Sequence, residues 1–174
     1  MTRVTNLLLT GRPGVGKTTV IEKVAERLAG RGIAGFVTEE VRDTAGRRTG
    51  FRAVTFGGER ATISDVGRAG PPRVGKYGVD VVAIDRLAEE ALSLDVDVYL
   101  VDEIGKMECL SERFVEAVER LLDSRTALVV TIGKRGPGLI ASAKCRPDAE
   151  LWEVTESNRD AMPDRILDWL ARRD

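Results

Sequence analysis

The chain has no histidine and no glutamine, and among its 174 residues only Cys109 and Cys145 carry thiols. Without histidine, the His-based catalytic triads and the usual zinc sites are excluded, and the two cysteines lack C-x-x-C spacing. Chemistry here must run on carboxylates, Lys, Arg, backbone groups and a metal ion. The cysteines read as small buried or half-buried residues, with a disulfide as the alternative. No apolar run approaches the ~18 residues that cross a bilayer. The run after Arg3 leads straight into a glycine-rich loop, so it reads as a strand and not as a signal peptide. A cytoplasmic protein without a membrane partner is expected.

Charge of either sign is also not in excess: 27 Lys and Arg stand against 28 Asp and Glu, a net charge of -1. That balance gives no general electrostatic reason to expect nucleic acid as a partner. Amide side chains are confined to Asn6 and Asn158, and charged residues make up 32%, above the usual ~25%. This bias predicts a thermophilic source. A chain of this length buries roughly two thirds of the surface it exposes when unfolded, enough for one domain over residues 1–174, as a monomer or weak oligomer.

What is present begins with Leu7-Leu8-Leu9, the stretch Gly11-Arg12-Pro13-Gly14-Val15-Gly16-Lys17-Thr18 and then a helical pattern. This is the phosphate-binding pattern G-x-x-x-x-G-K-[ST] between a strand and a helix. Its glycines let successive backbone N–H groups converge on an anion, and the helix start adds its unpaired donors and dipole. Lys17 can neutralise the β- and γ-phosphates, and the Thr18 hydroxyl is placed to ligate Mg²⁺. Gly11 through Thr19 are therefore the expected nucleotide contacts.

Further along, strands are expected over 4–10, 34–41, 96–101, 126–132 and 151–155. They alternate with helices whose apolar faces carry Val20, Ile21 and Val24; Ile84, Leu87 and Ala88; Phe114, Val118 and Leu121; and Ile166, Trp169 and Leu170. Alternation of this kind predicts a three-layer α/β fold with a largely parallel twisted sheet. Residues 43–80 break the pattern with Gly-punctuated hairpins set beside the sheet, and 65–75 reads as a loop. The end of the second strand carries Glu39 and Glu40, which either face the ligand cleft or form a solvated strand end. Arg42, Arg47, Arg48 and Arg52 make the hairpin region basic, either to meet an anion or simply to be solvated.

The apolar strand Val96–Val101 runs into Asp102-Glu103. A rigid strand ending in acid suits a Mg²⁺-nucleotide site: Asp102 can hold the metal, and Glu103 can orient or deprotonate an attacking water.

Several segments together resemble the small P-loop nucleoside-triphosphatases, the family that includes the cancer-related nucleoside-triphosphatase. They are TGRPGVGKTT (10–19), GFVTEEVR (35–42), Gly50-Phe51-Arg52, RVGKYGVD (73–80), VDEIGKME (101–108) and Asn158-Arg159. The resemblance implies Mg²⁺-dependent hydrolysis of ATP, GTP, CTP or UTP to the diphosphate and phosphate. It places the phosphate loop on Gly11–Thr18, catalysis on Lys17 and Glu103, the metal on Thr18 and Asp102, and the base beside Asn158 and Arg159. One departure stands out. Where the family often has proline after Thr131-Ile132, this chain has Gly133-Lys134-Arg135-Gly136, so Lys134 and Arg135 either reach the γ-phosphate or are solvated.

Three functions fit these residues: a hydrolase of slow turnover, a small-molecule kinase using the same triphosphate as donor, and a nucleotide-dependent switch. Asp102-Glu103-Ile104-Gly105 matches the D-x-x-G of switch proteins, but no N-K-x-D guanine motif follows.

Overall fold

The computed structural model describes residues 3–173; Met1, Thr2 and Asp174 of the expected domain lie outside them. Strand β1 (Asn6–Thr10) lies between β8 (Ala127–Ile132) and β9 (Ala149–Glu153), parallel to both. β7 (Val98–Ile104) pairs with β8, and β2 (Ile33–Arg42) with β7, which completes five parallel strands.

Both faces of this sheet are covered, and that explains three consecutive leucines in β1. Leu7 and Leu9 pack with α1 (Lys17–Arg27) and α5 (Met162–Ala171), while Leu8 packs on the other face with α2 (Val81–Ala91) and α3 (Glu112–Asp123). All three are 0% exposed, and fully burying such a side chain contributes roughly 1.5–3 kcal/mol. α2 and α3 begin at side-chain caps, Asp80 accepting from the Ala83 N–H and Ser111 from the Phe114 N–H, each at 3.0 Å.

The hairpins expected beside the sheet are instead part of it. β3 (Arg48–Thr55), β4 (Arg60–Asp65), β5 (Arg73–Val74) and β6 (Tyr77–Val79) extend it antiparallel, giving nine strands among the described residues in the order β5-β6-β4-β3-β2-β7-β8-β1-β9. The reason lies in β2. Ile33–Phe36 pair with β7, and Phe36–Arg42 run on to pair with β3, so the outer edge of β2 nucleates the extension. The expected 65–75 loop is correspondingly shorter, because Asp65 closes β4 and Arg73–Val74 forms a small hairpin with β6.

The last strand also shifts. It was expected over 151–155 and runs Ala149–Glu153, in register with Asn6–Thr10. Both cysteines are free; Cys109 is half-buried, whereas Cys145, expected to be covered, is exposed at the C-cap of α4 (Leu139–Lys144).

Candidate functional site

The site forms at the carboxyl ends of the parallel strands, where open α/β sheets hold ligands. The loop from Gly11 to Gly16 leaves β1, and Val15, 4% exposed, pins its middle into the core under α1. Gly16 has φ 112° at the N-cap of α1, a left-handed conformation that a side chain would strain. Gly11 is needed for space: a Cβ there would stand 2.6 Å from the Val154 carbonyl oxygen at the end of β9. Arg12, Pro13, Gly14 and Thr19 are exposed. Lys17 Nζ donates to the carbonyls of Gly11 at 2.8 Å and Arg12 at 3.2 Å, so its ammonium lies across the loop.

Asp102 comes from β7, two strands away, and reaches the same place. Its side chain is buried at 3% exposure. Thr18 Oγ1 donates to Asp102 Oδ2 at 2.6 Å, and Thr131 Oγ1, at the end of β8, donates to Oδ1 at 2.6 Å. From β2, the Thr38 N–H donates to Oδ2 at 3.4 Å and the Thr38 hydroxyl to the Asp102 carbonyl. Helix α1 and strands β2 and β8 thus converge on one carboxylate of β7. Glu103 follows at the rim. Burial and the neighbouring Asp102 charge raise its carboxyl above the usual range, and Lys17 pulls it back.

The sequence reading did not single out Thr38, Thr131 or Glu108 for the site. Each threonine follows an apolar run, Thr38 within β2 and Thr131 near the end of β8, which was the available signal. Glu108 sits in the short 3-10 turn Glu108–Leu110 and is 4% exposed.

Asn158 and Arg159 are near the loop but do different things. The Asn158 amide is taken up by its own turn, accepting from the Thr155 N–H and donating to the Glu153 carbonyl, both at 2.8 Å. Arg159 Nη1 donates to the Val15 carbonyl at 3.1 Å and so braces the phosphate loop. With Gly16, Thr19, Val20, Lys23 and Asp160 it lines a groove of about 240 Å³ beside the first turns of α1.

Glu39 turns toward the site and Glu40 away from it. Glu39 pairs with Arg52 at 2.7 Å, and together with Asp102 it raises the Glu22 carboxyl on α1, whose first cause is burial. Glu40 instead meets Arg42 and Arg48. Arg47 pairs with Asp43, so Arg42, Arg47, Arg48 and Arg52 are all matched by acids of β2 or of the bend that follows it. Lys134 Nζ lies 4.0 Å from Glu153, and the loop backbone is fixed from below by Lys144 Nζ on the carbonyls of Gly133 and Lys134.

Thr18 Oγ1 and Asp102 Oδ2 are hard oxygen donors of the kind Mg²⁺ takes, one hydroxyl and one carboxylate, with its remaining positions left to water and phosphate. The donor set therefore fits the metal. Among the described residues, no cluster of three or more His, Cys, Asp or Glu side chains stands ready to hold a cation.

A glycine-rich loop between strand and helix, with a lysine across it and a strand-end aspartate bonded to its threonine, defines a nucleotide-binding P-loop protein. The sequence model described as NTPase matches residues 6–167, and the chain belongs to that family. It is 40% identical over 164 residues to "Nucleoside-triphosphatase THEP1" of Thermotoga sp. (strain RQ2), covering 92% of each chain. It is 39% identical over 180 residues to the human "Cancer-related nucleoside-triphosphatase", covering 92% of this chain and 94% of that one. The crystal structure of THEP1 from the hyperthermophile Aquifex aeolicus superposes with a TM-score of 0.84 at 38% identity, over 95% of this chain and 98% of that chain.

Proposed function

We propose that this protein hydrolyses nucleoside triphosphates to the diphosphate and phosphate, with Mg²⁺ and little choice of base. The observation that carries the reading is the 2.6 Å contact between Thr18 and Asp102 beside Lys17, since it joins a phosphate loop to a strand-end acid. Thr18 and Asp102 would hold Mg²⁺, which when bound neutralises charge on the β- and γ-phosphate oxygens. The loop N–H groups and Lys17 bind and orient the triphosphate. Glu103, whose carboxyl burial and Asp102 raise above the usual range, accepts the proton of the attacking water as general base.

The groove lined by Thr19, Lys23, Arg159 and Asp160 would take ribose and base. Its lining is polar and charged, with Lys23, Arg159 and Asp160 among its side chains, which supports broad use of ATP, GTP, CTP and UTP. Arg159 is bonded to the phosphate loop through the Val15 carbonyl, and none of the described arginines is assigned to the γ-phosphate. P-loop proteins without an arginine finger hydrolyse at roughly 10⁻⁴ to 10⁻² per second, so turnover is slow. The working form would be a cytoplasmic monomer or weak oligomer; no described helix is long and apolar enough to cross a membrane.

The test is phosphate release from the four triphosphates, with and without Mg²⁺, in wild type and Lys17→Ala. The expected outcome is release from all four, lost on chelation and in the variant. Release from none, or phosphate appearing only on an added acceptor, overturns the reading.

A further inference from the structure

The groove beside the first turns of α1 carries a single carboxylate. Of the side chains that line it, Lys23 and Arg159 only donate hydrogen bonds, Val20 does neither, and Thr19 offers a neutral hydroxyl; Asp160 is the one anion. Lys23 follows Thr19 by one helical turn and so shares its face of α1.

Neither Lys23 nor Asp160 is spent on the protein itself. Among the described residues, no hydrogen bond or ion pair engages either side chain. Their charged neighbours are all engaged: Arg12 with Glu156, Arg27 with Asp164, and Arg159 with the Val15 carbonyl. Asp160 is nonetheless held in place, because the turn that carries it is fixed on both sides. The Arg159 N–H donates to the Thr155 carbonyl at 3.0 Å, that of Ala161 to Asn158 at 3.1 Å and that of Met162 to Arg159 at 3.3 Å. Before it, Arg159 lies over the phosphate loop, its Cδ 3.5 Å from where a Cβ on Gly16 would stand; after it, Met162 is 0% exposed in the core.

A carboxylate beside a phosphate loop repels the polyphosphate, so the ligand group that suits it is a hydrogen-bond donor. ATP, GTP, CTP and UTP differ in the donors of their base edges, and the donors they have in common are the two ribose hydroxyls.

We propose that Asp160 is the sugar-reading residue of this site: its carboxylate accepts hydrogen bonds from the 2′ and 3′ hydroxyls of the bound nucleotide, so the site discriminates by sugar while taking any base. The inference rests on the groove receiving ribose and base. A hydroxyl bonded to a carboxylate is held more strongly than one bonded to a neutral acceptor, and a site that pairs a ligand hydroxyl disfavours the analogue lacking it. Asp160 is exposed, so water replaces part of the lost bond and the expected preference is about tenfold.

The test is calorimetric titration of wild type, Asp160→Asn and Asp160→Ala with ADP, 2′,3′-dideoxy-ADP and pyrophosphate, none of which is consumed by hydrolysis of a γ-phosphate. Wild type is expected to bind ADP about tenfold more tightly than the dideoxy analogue. Asp160→Ala erases that difference by weakening ADP alone, and Asp160→Asn, which keeps a neutral acceptor, retains a smaller preference of about threefold. Pyrophosphate affinity stays within about twofold of wild type in both variants, which a residue acting by bracing the phosphate loop would not allow.

Equal affinity of wild type for ADP and the dideoxy analogue overturns the proposal, and that comparison needs no variant to fold. An undiminished preference in Asp160→Ala overturns it too, as does a loss that extends equally to pyrophosphate. If ADP and pyrophosphate bind with no regard for the sugar, the sugar-reading role alone falls; if neither binds, the nucleotide site falls with it.

Discussion

The Thr131 hydroxyl donates to Oδ1 of Asp102 at 2.6 Å, which leaves Oδ2 of the same carboxylate to Thr18. Thr131 is 0% exposed, so Thr131→Val removes a donor from a buried charged oxygen while keeping the side-chain shape. The cost of leaving such a group unpaired is about 1–3 kcal/mol, or roughly 2–4 °C in melting temperature per kcal/mol for a domain of this size. Calorimetry on Thr131→Val and Thr131→Ser should show the loss in the first and most of the stability kept in the second.

Glu103→Gln should bind nucleotide as wild type does and turn it over about 10²- to 10⁴-fold more slowly, the span that a positioned base supplies. Titration with a fluorescent nucleotide alongside single-turnover rates checks both halves. Weakened binding with unchanged kcat would assign Glu103 to affinity instead.

Arg159→Ala should raise KM for ATP, GTP, CTP and UTP by similar factors. The comparison that matters is inorganic tripolyphosphate, which has the phosphates and no nucleoside. If Arg159 serves the groove beside α1, KM for tripolyphosphate stays put. If it acts through its bond to the Val15 carbonyl, both substrates weaken together.

Glu108 gives stability a pH dependence with a definite sign. Its folded value, about 8, lies above the ordinary 4.5, so between those values the native state holds a proton that the unfolded chain releases. The contribution is complete at pH below about 4.5, falls as pH rises by up to ~1.4 kcal/mol per unit, and levels off above about 8. Urea midpoints of wild type and Glu108→Gln at pH 5.5, 7 and 8.5 (chosen about that window), without nucleotide or metal, should differ by an amount that changes steadily with pH. A constant difference would remove the buried proton.

The amide-poor, charge-rich composition predicts a melting midpoint above the ~45–65 °C common to mesophilic domains. A scanning calorimetry trace with its midpoint inside that range would tell against it.

The parallel half of the fold was legible because each strand is a buried apolar run and each helix repeats its apolar positions at 3.6-residue spacing. The phosphate loop was legible because its backbone demands glycine at fixed places. The antiparallel half was recognised as hairpins but misplaced, since nothing local in Arg48–Thr55 says which neighbour it will pair with; that is decided by the length of β2. Glu39 and Glu40 could not be told apart in the sequence, and the pleat separated them, one toward Arg52 and the Glu22 carboxyl of α1, the other toward Arg42 and Arg48. Glu108 stayed hidden because its burial arises from a turn that folds back on Gly105, a contact that no periodicity encodes.

β2 carries Thr38 on Asp102 and, one position on, Glu39 on Arg52. Deleting any single residue between Ile33 and Val37 would turn this strand over by one pleat and present a second carboxylate to the first, with like charges facing where a hydroxyl now stands. A change of length at the 43–47 bend or in the outer hairpin leaves that contact alone, whereas the count of residues from the sheet's parallel centre to Thr38 decides it.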